Sequence, residues 1–300
     1  MSGPLQRSLF QSAGRNSSLR VGPAGWNYKD WEGIVYPGAS SFDSLAFLAE
    51  YCDTIEINSS FYAPPRPKDT AAWARRVHNN PRFKFTAKAW QKLSHEERAA
   101  EESSLAANCD EVRRSMAPLV EAGVLGALLI QFPWRFRYVP ENMDYLDRLI
   151  RLLPDFPLVL EVRHGSWNQE LFYDLLRDRR VAFCNVDQPL IGNSIKPGER
   201  ATSRLGYFRL HGRNYANWFR EDAGRDARYD YLYTKQEIRH LSAQIRKVHQ
   251  TTDETYAITN NHFRGQALVN AMEILEELDG VRPPVPPMLA ASYPDRFPQK

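Results

Sequence analysis

The sequence is poor in cysteine and contains no long apolar run. Its 300 residues include only three cysteines, Cys52, Cys109 and Cys184, with no CxxC pair. That spacing excludes a disulfide framework and a cysteine-based zinc site, and it predicts buried thiols in a reducing, cytoplasmic location. Since no apolar run approaches the length that crosses a bilayer, a membrane-spanning protein is not expected.

The chain also lacks a strong net charge and the best-known catalytic motifs. Its 39 basic and 36 acidic residues leave a formal charge of +3, so the charge balance does not require nucleic acid or an anionic membrane as a partner. There is no Walker A loop, HExxH, GxSxG or EF-hand pattern. Common phosphate-loop, zinc-protease, serine-hydrolase and calcium-loop proteins are therefore disfavoured.

The two ends of the chain differ from its middle. Residues 1–18 contain no acidic residue and no amphipathic stripe, and they predict a disordered N-terminal tail. Residues 281–300 contain six prolines and predict a Pro-rich tail that lies along the surface or hangs free. Residues 19–280 are predicted to form one domain.

Short β-type runs alternate with segments of helical period through this domain. The eight runs begin at Arg20, Thr54, Lys84, Leu125, Leu158, Ala182, Gly206 and Thr255. Eight alternations, with no Gly-rich dinucleotide turn after the first run, predict an α/β fold with a single (β/α)8 barrel of TIM type rather than an open sheet. Residues 189–204 carry two glycines and two prolines but no helical stripe, so a loop or degenerate helix is expected between strands 6 and 7.

Polar side chains occupy strand positions that should face the barrel lumen. Alternation along strands 2, 5 and 7 places inside Glu56, Asn58, Glu161, Arg163, Arg209, His211 and Arg213. Near the ends of other strands lie Lys88, Gln131, Asp187, Asn260 and Asn261, and strand 1 ends at Trp26, followed by Tyr28. Barrel enzymes place their sites at these carboxyl ends. The structural alternative is a buried ion network, for instance Glu161 with Arg209.

Aromatic residues cluster at the same strand ends. They are Trp26, Tyr28, Trp31, Tyr36, Phe61, Tyr62, Trp90, Trp134 and Trp167. Flat aromatic walls suit sugar rings and bases, although roughly half of this set should serve loop packing. Trp73, on a predicted helix, is expected in the core. Residues 214–233 are too long for a simple turn and predict a lid, a binding loop or an ordered decoration.

Several motifs resemble the YecE-like proteins, also called domain of unknown function 72. In order they are GPAGWNYKDWEGIVYPG, TIEINSSFYAPPRPKDTAAWA, FKFTAKAW with LSHE, QFPWRF, EVRHGSW, FRLHGR and NNHFRGQA, and they extend over residues 21–280. The resemblance implies a TIM-type barrel and no established reaction. The family pattern matches the lumen and strand-end residues named above, together with Trp167. Two departures are GPAGW, where a Gly-Thr-Ser-Gly-Trp type is usual, and His262, where Asp or Asn often stands.

The leading functional hypothesis is an enzyme that acts on a small anionic, hydroxylated substrate, such as a sugar phosphate or nucleotide-like molecule. Arg163, Arg209 and Arg213 would hold a phosphate or carboxylate. Glu161 and Glu56 would be the acid/base pair, with Lys88 or His211 tuning or sharing the proton. The remaining candidate ligand-binding residues are Trp26, Tyr28, Asn58, Tyr62, Gln131, Trp167, Asp187, Asn260 and Asn261.

Two alternatives stay open. One is a metal-dependent phosphodiesterase or nuclease with Glu56, Glu161, Asp187 and His211 as ligands; the other is a non-catalytic binding barrel. Because basic side chains crowd the lumen, no metal or other cofactor is predicted under the leading hypothesis, and nucleic acid is the less favoured ligand. If Glu161 is held among like charges, Glu161→Gln should be neutral or stabilising.

Overall fold

The computed structural model describes residues 18–38, 41–95, 102–218, 220 and 225–298. The predicted tail at 1–18 therefore lies outside the described residues, apart from its last position. Eight strands were predicted and eight are present: β1 Leu19–Pro23, β2 Thr54–Ile57, β3 Lys84–Lys88, β4 Leu125–Gln131, β5 Leu158–Glu161, β6 Ala182–Asp187, β7 Leu205–Leu210 and β8 Glu254–Thr259.

All eight strands are parallel and lie in the order β1-β8-β7-β6-β5-β4-β3-β2. Strands β1 and β2 complete the ring through a short contact: Ala24 bridges to Glu56, and the Gly25 amide donates a hydrogen bond of 2.8 Å to the Glu56 carbonyl. This contact is the seam of the barrel. The predicted (β/α)8 barrel is confirmed.

Helices cover the outside of the barrel. They are α1 Ser44–Leu48, α2 Pro67–Arg76, α3 Glu102–Glu121, α4 Pro140–Arg151, α5 Glu170–Asp178, α6 Lys235–His249, α7 Gln266–Asp279 and α8 Pro287–Ser292. Between β6 and β7, residues 188–204 contain no helix, because their glycines and prolines interrupt any amphipathic repeat. In the described ranges, no helix is both long and apolar enough to cross a membrane.

Two hydrophobic layers hold the barrel together. Small and branched side chains such as Ala127, Val159 and Cys184 fill the lumen, whereas the opposite strand faces, including Ile55 and Leu160, pack under the helices. This division follows the two-residue alternation of strands. The outer layer matters for the site because it fixes which side chains of β2, β5 and β7 must point inward.

The Pro-rich end of the chain packs against the barrel. It contains the short helix α8, and the side chains of Leu289 and Phe297 are buried in the outer hydrophobic layer. Proline at the first turn of α8 is compatible with a helix because that position needs no intrahelical hydrogen bond. The segment therefore lies along the surface and does not hang free.

The closeness of β1 and β2 gives a test of the fold. A Cβ atom at Gly22 would lie 1.9 Å from the backbone carbonyl oxygen of Thr54. We expect Gly22→Ala to lower the free energy of unfolding by about 1–3 kcal/mol, since backbone must move to admit the methyl group. Urea denaturation measures the loss. The matched control is Gly38→Ala, where the nearest neighbour is the flexible side chain of Glu32; equal stability of both variants would contradict the tight seam.

Candidate functional site

A cavity of about 710 Å³ opens at the carboxyl ends of the strands. Residues at the ends of β1, β2, β3, β4, β5, β7 and β8 contribute to its wall, because parallel strands deliver their last side chains to one end of a barrel. The sequence-predicted residues that line it are Trp26, Tyr28, Asn58, Tyr62, Lys88, Gln131, Arg163, Arg209, His211 and Asn260.

Arg209 holds two buried carboxylates beneath this cavity. Its guanidinium donates to Glu56 Oε1 at 2.8 Å and to Glu161 Oε2 at 2.7 Å, and it also donates to Gln131 Oε1 at 3.1 Å. The second oxygen of Glu56 accepts a hydrogen bond of 2.9 Å from the Tyr207 hydroxyl. Glu56, Glu161 and Arg209 are each 1% exposed or less, so these charges are compensated by each other and not by water.

A second arginine completes the compensation of Glu161. Arg163 donates from Nε at 2.9 Å to Glu161 Oε1, and its side chain keeps 17% exposure at the cavity wall. Burial opposes the ionisation of Glu161, but Arg209 and Arg163 together hold its pKa well below the ordinary value. The expectation that Glu161 lies among like charges is wrong, since its charged neighbours are guanidinium groups. With Glu56, Glu161, Arg163 and Arg209 all ionised, the network carries no net charge.

His211 lies at the edge of this network as a neutral imidazole. Burial, and then the nearby Arg209, lower the pKa of His211 to about 3. Its Nδ1 is 2.8 Å from the Asn260 amide nitrogen, and its Nε2 is 3.4 Å from a guanidinium nitrogen of Arg163. Two arginines beside Nε2 disfavour a second proton on the ring. His211 can therefore donate or accept one hydrogen bond without carrying charge.

Lys88 is the cavity cation that the network leaves unpaired. Its amine lies 3.9 Å from the ring centroid of Phe61 and makes no hydrogen bond or ion pair to any residue in the described ranges. Burial, followed by repulsion from Arg209, lowers the pKa of Lys88 to about 7. The cavity consequently offers an amine that loses its proton much more readily than an ordinary lysine does.

Besides Glu56 and Glu161, which lie beneath the cavity, four more predicted site residues lie outside its wall. The carboxylate of Asp187 accepts from Arg213 at 2.7 Å and from the Tyr233 hydroxyl at 2.5 Å, and Arg213 also reaches Glu237 at the start of α6. Trp167 is fully buried and donates to a backbone carbonyl at 2.7 Å. Asn261 is also fully buried and donates to the Tyr231 carbonyl and to Asn270.

The expected convergence of Arg163, Arg209 and Arg213 on one anion is therefore not what the structure shows. Arg213 belongs to the Asp187 cluster, and the guanidinium of Arg209 is occupied by Glu56 and Glu161. Of the three, Arg163 is partly exposed and lines the cavity. Anion recognition in the cavity would thus depend on Arg163 and Lys88.

The arrangement of the candidate ligands also argues against the metal-site hypothesis. Within the described ranges, no three His, Cys, Asp or Glu side chains are grouped as a metal site. Glu56 and Glu161 are bridged by Arg209, while Asp187 is bound to Arg213 on another face of the barrel wall. A divalent cation would have to displace a guanidinium from either glutamate.

The sequence reasoning missed several residues of the cavity wall. Trp73, expected in the core, packs edge-on against Trp26 with ring centroids 5.3 Å apart and faces the cavity. His95 and Tyr229 come from the segments after β3 and β7, and burial lowers the pKa of His95 to about 4. His262 stacks on Tyr28 at 4.5 Å. Tyr229 belongs to the segment 214–233, and the length of that segment was the only sequence feature that indicated a role for it at the site.

The fold and the cavity define a (β/α)8-barrel protein whose polar mouth lies above a buried, charge-compensated arginine–glutamate network. A family model described as protein of unknown function DUF72 matches residues 20–291. The chain belongs to this family, as its motifs predicted.

Known relatives can be aligned with most of this chain. The protein UPF0759 YunF of Bacillus subtilis is 28% identical over 271 residues, which cover 87% of this chain and 95% of the relative. A crystal structure of a DUF72 protein from Enterococcus faecalis is 29% identical with a TM-score of 0.77, covering 87% of this chain and 95% of the other. One from Thermotoga maritima is 30% identical with a TM-score of 0.73, covering 86% and 97%.

Proposed function

We propose that this protein is an enzyme that acts on a small anionic, hydroxylated substrate, of the sugar-phosphate or nucleotide-like class, in the cavity at the barrel mouth. The observation that carries the proposal is Lys88, an amine that opens into the cavity without an ion pair. An unpaired amine with a pKa near 7 can either bind an anion as a cation or exchange a proton near neutral pH.

The rest of the wall suits the proposed substrate. Arg163 adds a permanent, partly exposed charge, and the side-chain amides of Asn27 and Asn58 make no hydrogen bond to the described residues. Such amides can bind hydroxyl groups as donor or acceptor. Trp26 and Tyr62 supply apolar faces of the kind that sugar rings and bases pack against.

The roles of the titratable groups change accordingly. Glu56 and Glu161 are committed to guanidinium groups below the cavity, so we assign them as positioning residues that hold Arg209 and Arg163. Lys88 becomes the proton-exchanging group, and His211 a neutral hydrogen-bonding partner for the substrate. An ammonium at Lys88 would add one positive charge to an otherwise neutral network, and this charge would favour an anion.

Calorimetric titration with matched ligand pairs tests the proposal. We expect a hexose phosphate or nucleoside monophosphate to bind the wild type, and the uncharged parent sugar or nucleoside to bind at least about tenfold more weakly, since one charge-assisted hydrogen bond contributes about 1.5–3 kcal/mol. Lys88→Met should cause a similar loss, whereas Lys92→Met, at an exposed site four residues on, should not.

Two results would contradict this assignment. One is that no anionic ligand of the panel binds at millimolar concentration. The other is that Lys88→Met binds the anionic ligands as tightly as the wild type does.

A further inference from the structure

The Lys88 amine lies in the cavity wall, where a nucleophile could meet a substrate, and it makes no ion pair of the kind that a structural cation makes. It projects from the last residue of β3 on the same face as Thr86, whose hydroxyl lies 2.9 Å from the Tyr207 hydroxyl inside the lumen. Both buried carboxylates within electrostatic range, Glu56 and Glu161, are already engaged by Arg209 and Arg163. The Lys88 amine thus has no counter-ion of its own among the described residues.

The surroundings of the amine favour its uncharged form until it has reacted. Burial disfavours a proton on Lys88 most strongly, and Arg209 from β7 and Arg163, two residues after β5, repel it. Glu56 from β2 and Glu161 from β5 attract the proton less strongly than burial and Arg209 oppose it. His95, after β3, is also near and has its pKa lowered to about 4, so it adds no positive charge at neutral pH. Desolvation of this kind is a general way to activate a lysine toward carbonyl carbon.

We propose that Lys88 forms an imine with a carbonyl group of the substrate, so that the substrate class is a small aldehyde or ketone that carries a phosphate or carboxylate group. This inference rests on the proposed function and specifies its chemistry. Arg163 would bind the anionic group, and the amides of Asn27 and Asn58 would bind hydroxyl groups beside the carbonyl.

The step balances without any oxidant or reductant. The lone pair of Nζ forms a bond to the carbonyl carbon, the carbonyl π bond breaks, and one nitrogen proton passes through solvent to the carbonyl oxygen, giving a neutral carbinolamine. The hydroxyl group then takes a further proton from solvent and leaves as water, and the nitrogen becomes a protonated imine. That nitrogen is positively charged, and the face of Phe61 at 3.9 Å stabilises a cation at this position.

Reductive trapping tests the imine directly. The wild type is incubated at pH 7.5 with dihydroxyacetone phosphate, glyceraldehyde 3-phosphate or pyruvate in the presence of cyanoborohydride, and the modified lysines are mapped by peptide mass spectrometry. We expect at least one of these probes to label Lys88 more than about tenfold faster than Lys92, because burial lowers the pKa of Lys88 and leaves more of its amine free to react. Neutral glyceraldehyde should label Lys88 more slowly than its phosphate ester.

The variants separate chemistry from folding. Lys88→Arg keeps a cation and Lys88→Met keeps an apolar stem; both should lose the adduct while retaining the wild-type circular dichroism spectrum, and Lys92→Met should be labelled at Lys88 as the wild type is. Labelling of Lys88 at the rate of Lys92 by every probe would overturn the imine. If an anionic ligand still binds in a Lys88-dependent way, the proposed function survives that result; if none binds, both proposals fail.

Discussion

Replacing Arg209 by methionine should lower the free energy of unfolding by about 3–5 kcal/mol, because removing one partner from a buried ion pair leaves an uncompensated charge in a low-dielectric interior. Arg209 is 1% exposed and binds Glu56 and Glu161 at 2.8 and 2.7 Å. Without it, Glu161 keeps Arg163, but Glu56 keeps only the hydroxyl of Tyr207. Urea denaturation with an unchanged denaturant slope would measure the loss.

A second substitution identifies the cause of that loss. Adding Glu56→Gln to Arg209→Met leaves Glu161 paired with Arg163 and no buried charge without a partner, so part of the stability should return. Arg204→Met is the matched control, since Arg204 pairs with Asp253 at the surface, where ion pairs typically contribute about 0–1 kcal/mol. Further destabilisation by Glu56→Gln in the Arg209→Met background would show that the loss is not electrostatic.

Glu161→Gln should also be strongly destabilising, by about 3–5 kcal/mol, because Arg163 would lose its carboxylate partner and Arg209 would keep only Glu56. This reverses the expectation drawn from the sequence, which assumed repulsion from other carboxylates. Glutamine is close to glutamate in shape, so the loss measures charge and not a cavity. Glu170→Gln, at an exposed pair with Arg177, should change stability by less than about 1 kcal/mol.

The pH dependence of the same variant has a definite sign. The folded-state pKa of Glu161 is depressed. Its contribution to the free energy of unfolding is therefore present above its unfolded pKa of about 4.3 and is lost as the pH falls through the folded-state pKa. The difference in unfolding free energy between wild type and Glu161→Gln should therefore be constant from about pH 6 to 8 and shrink only in acid. A neutral or stabilising Glu161→Gln at pH 7 would refute the network described above.

Strand alternation was sufficient to find the network but not its pairing. Glu56, Glu161 and Arg209 could be placed in the lumen because each is flanked by strongly apolar residues that must face the helices. Which carboxylate meets which guanidinium depends on strand tilt and on residues as distant in sequence as 56 and 209. Periodicity contains no information on those distances, so the Glu161–Arg209 pair could be named only as the structural alternative, and the contact of Glu161 with Arg163 and the unpaired state of Lys88 were not predicted.

Asp187 and Arg213 lie away from the cavity for two different reasons. In β6, Ala182, Cys184 and Val186 fill the lumen, so the alternation of side chains turns Asp187 outward. After β7, Gly212 has φ of +84°, a conformation that glycine adopts readily, and it ends the alternation before Arg213. The Tyr233 hydroxyl then accepts from the Gly212 amide and donates to Asp187, so the two charges are held away from the cavity.

The seam between β1 and β2 links the integrity of the site to the closure of the barrel. Glu56 joins the two strands through its backbone carbonyl and holds Arg209 through its side chain. An intermediate in which the seam is open would expose that carboxylate and guanidinium to water and would have no organised cavity floor. Opening of the seam and loss of the site should consequently form one cooperative unit, with the amide of Gly25 and those around Arg209 exchanging hydrogen through a common opening event.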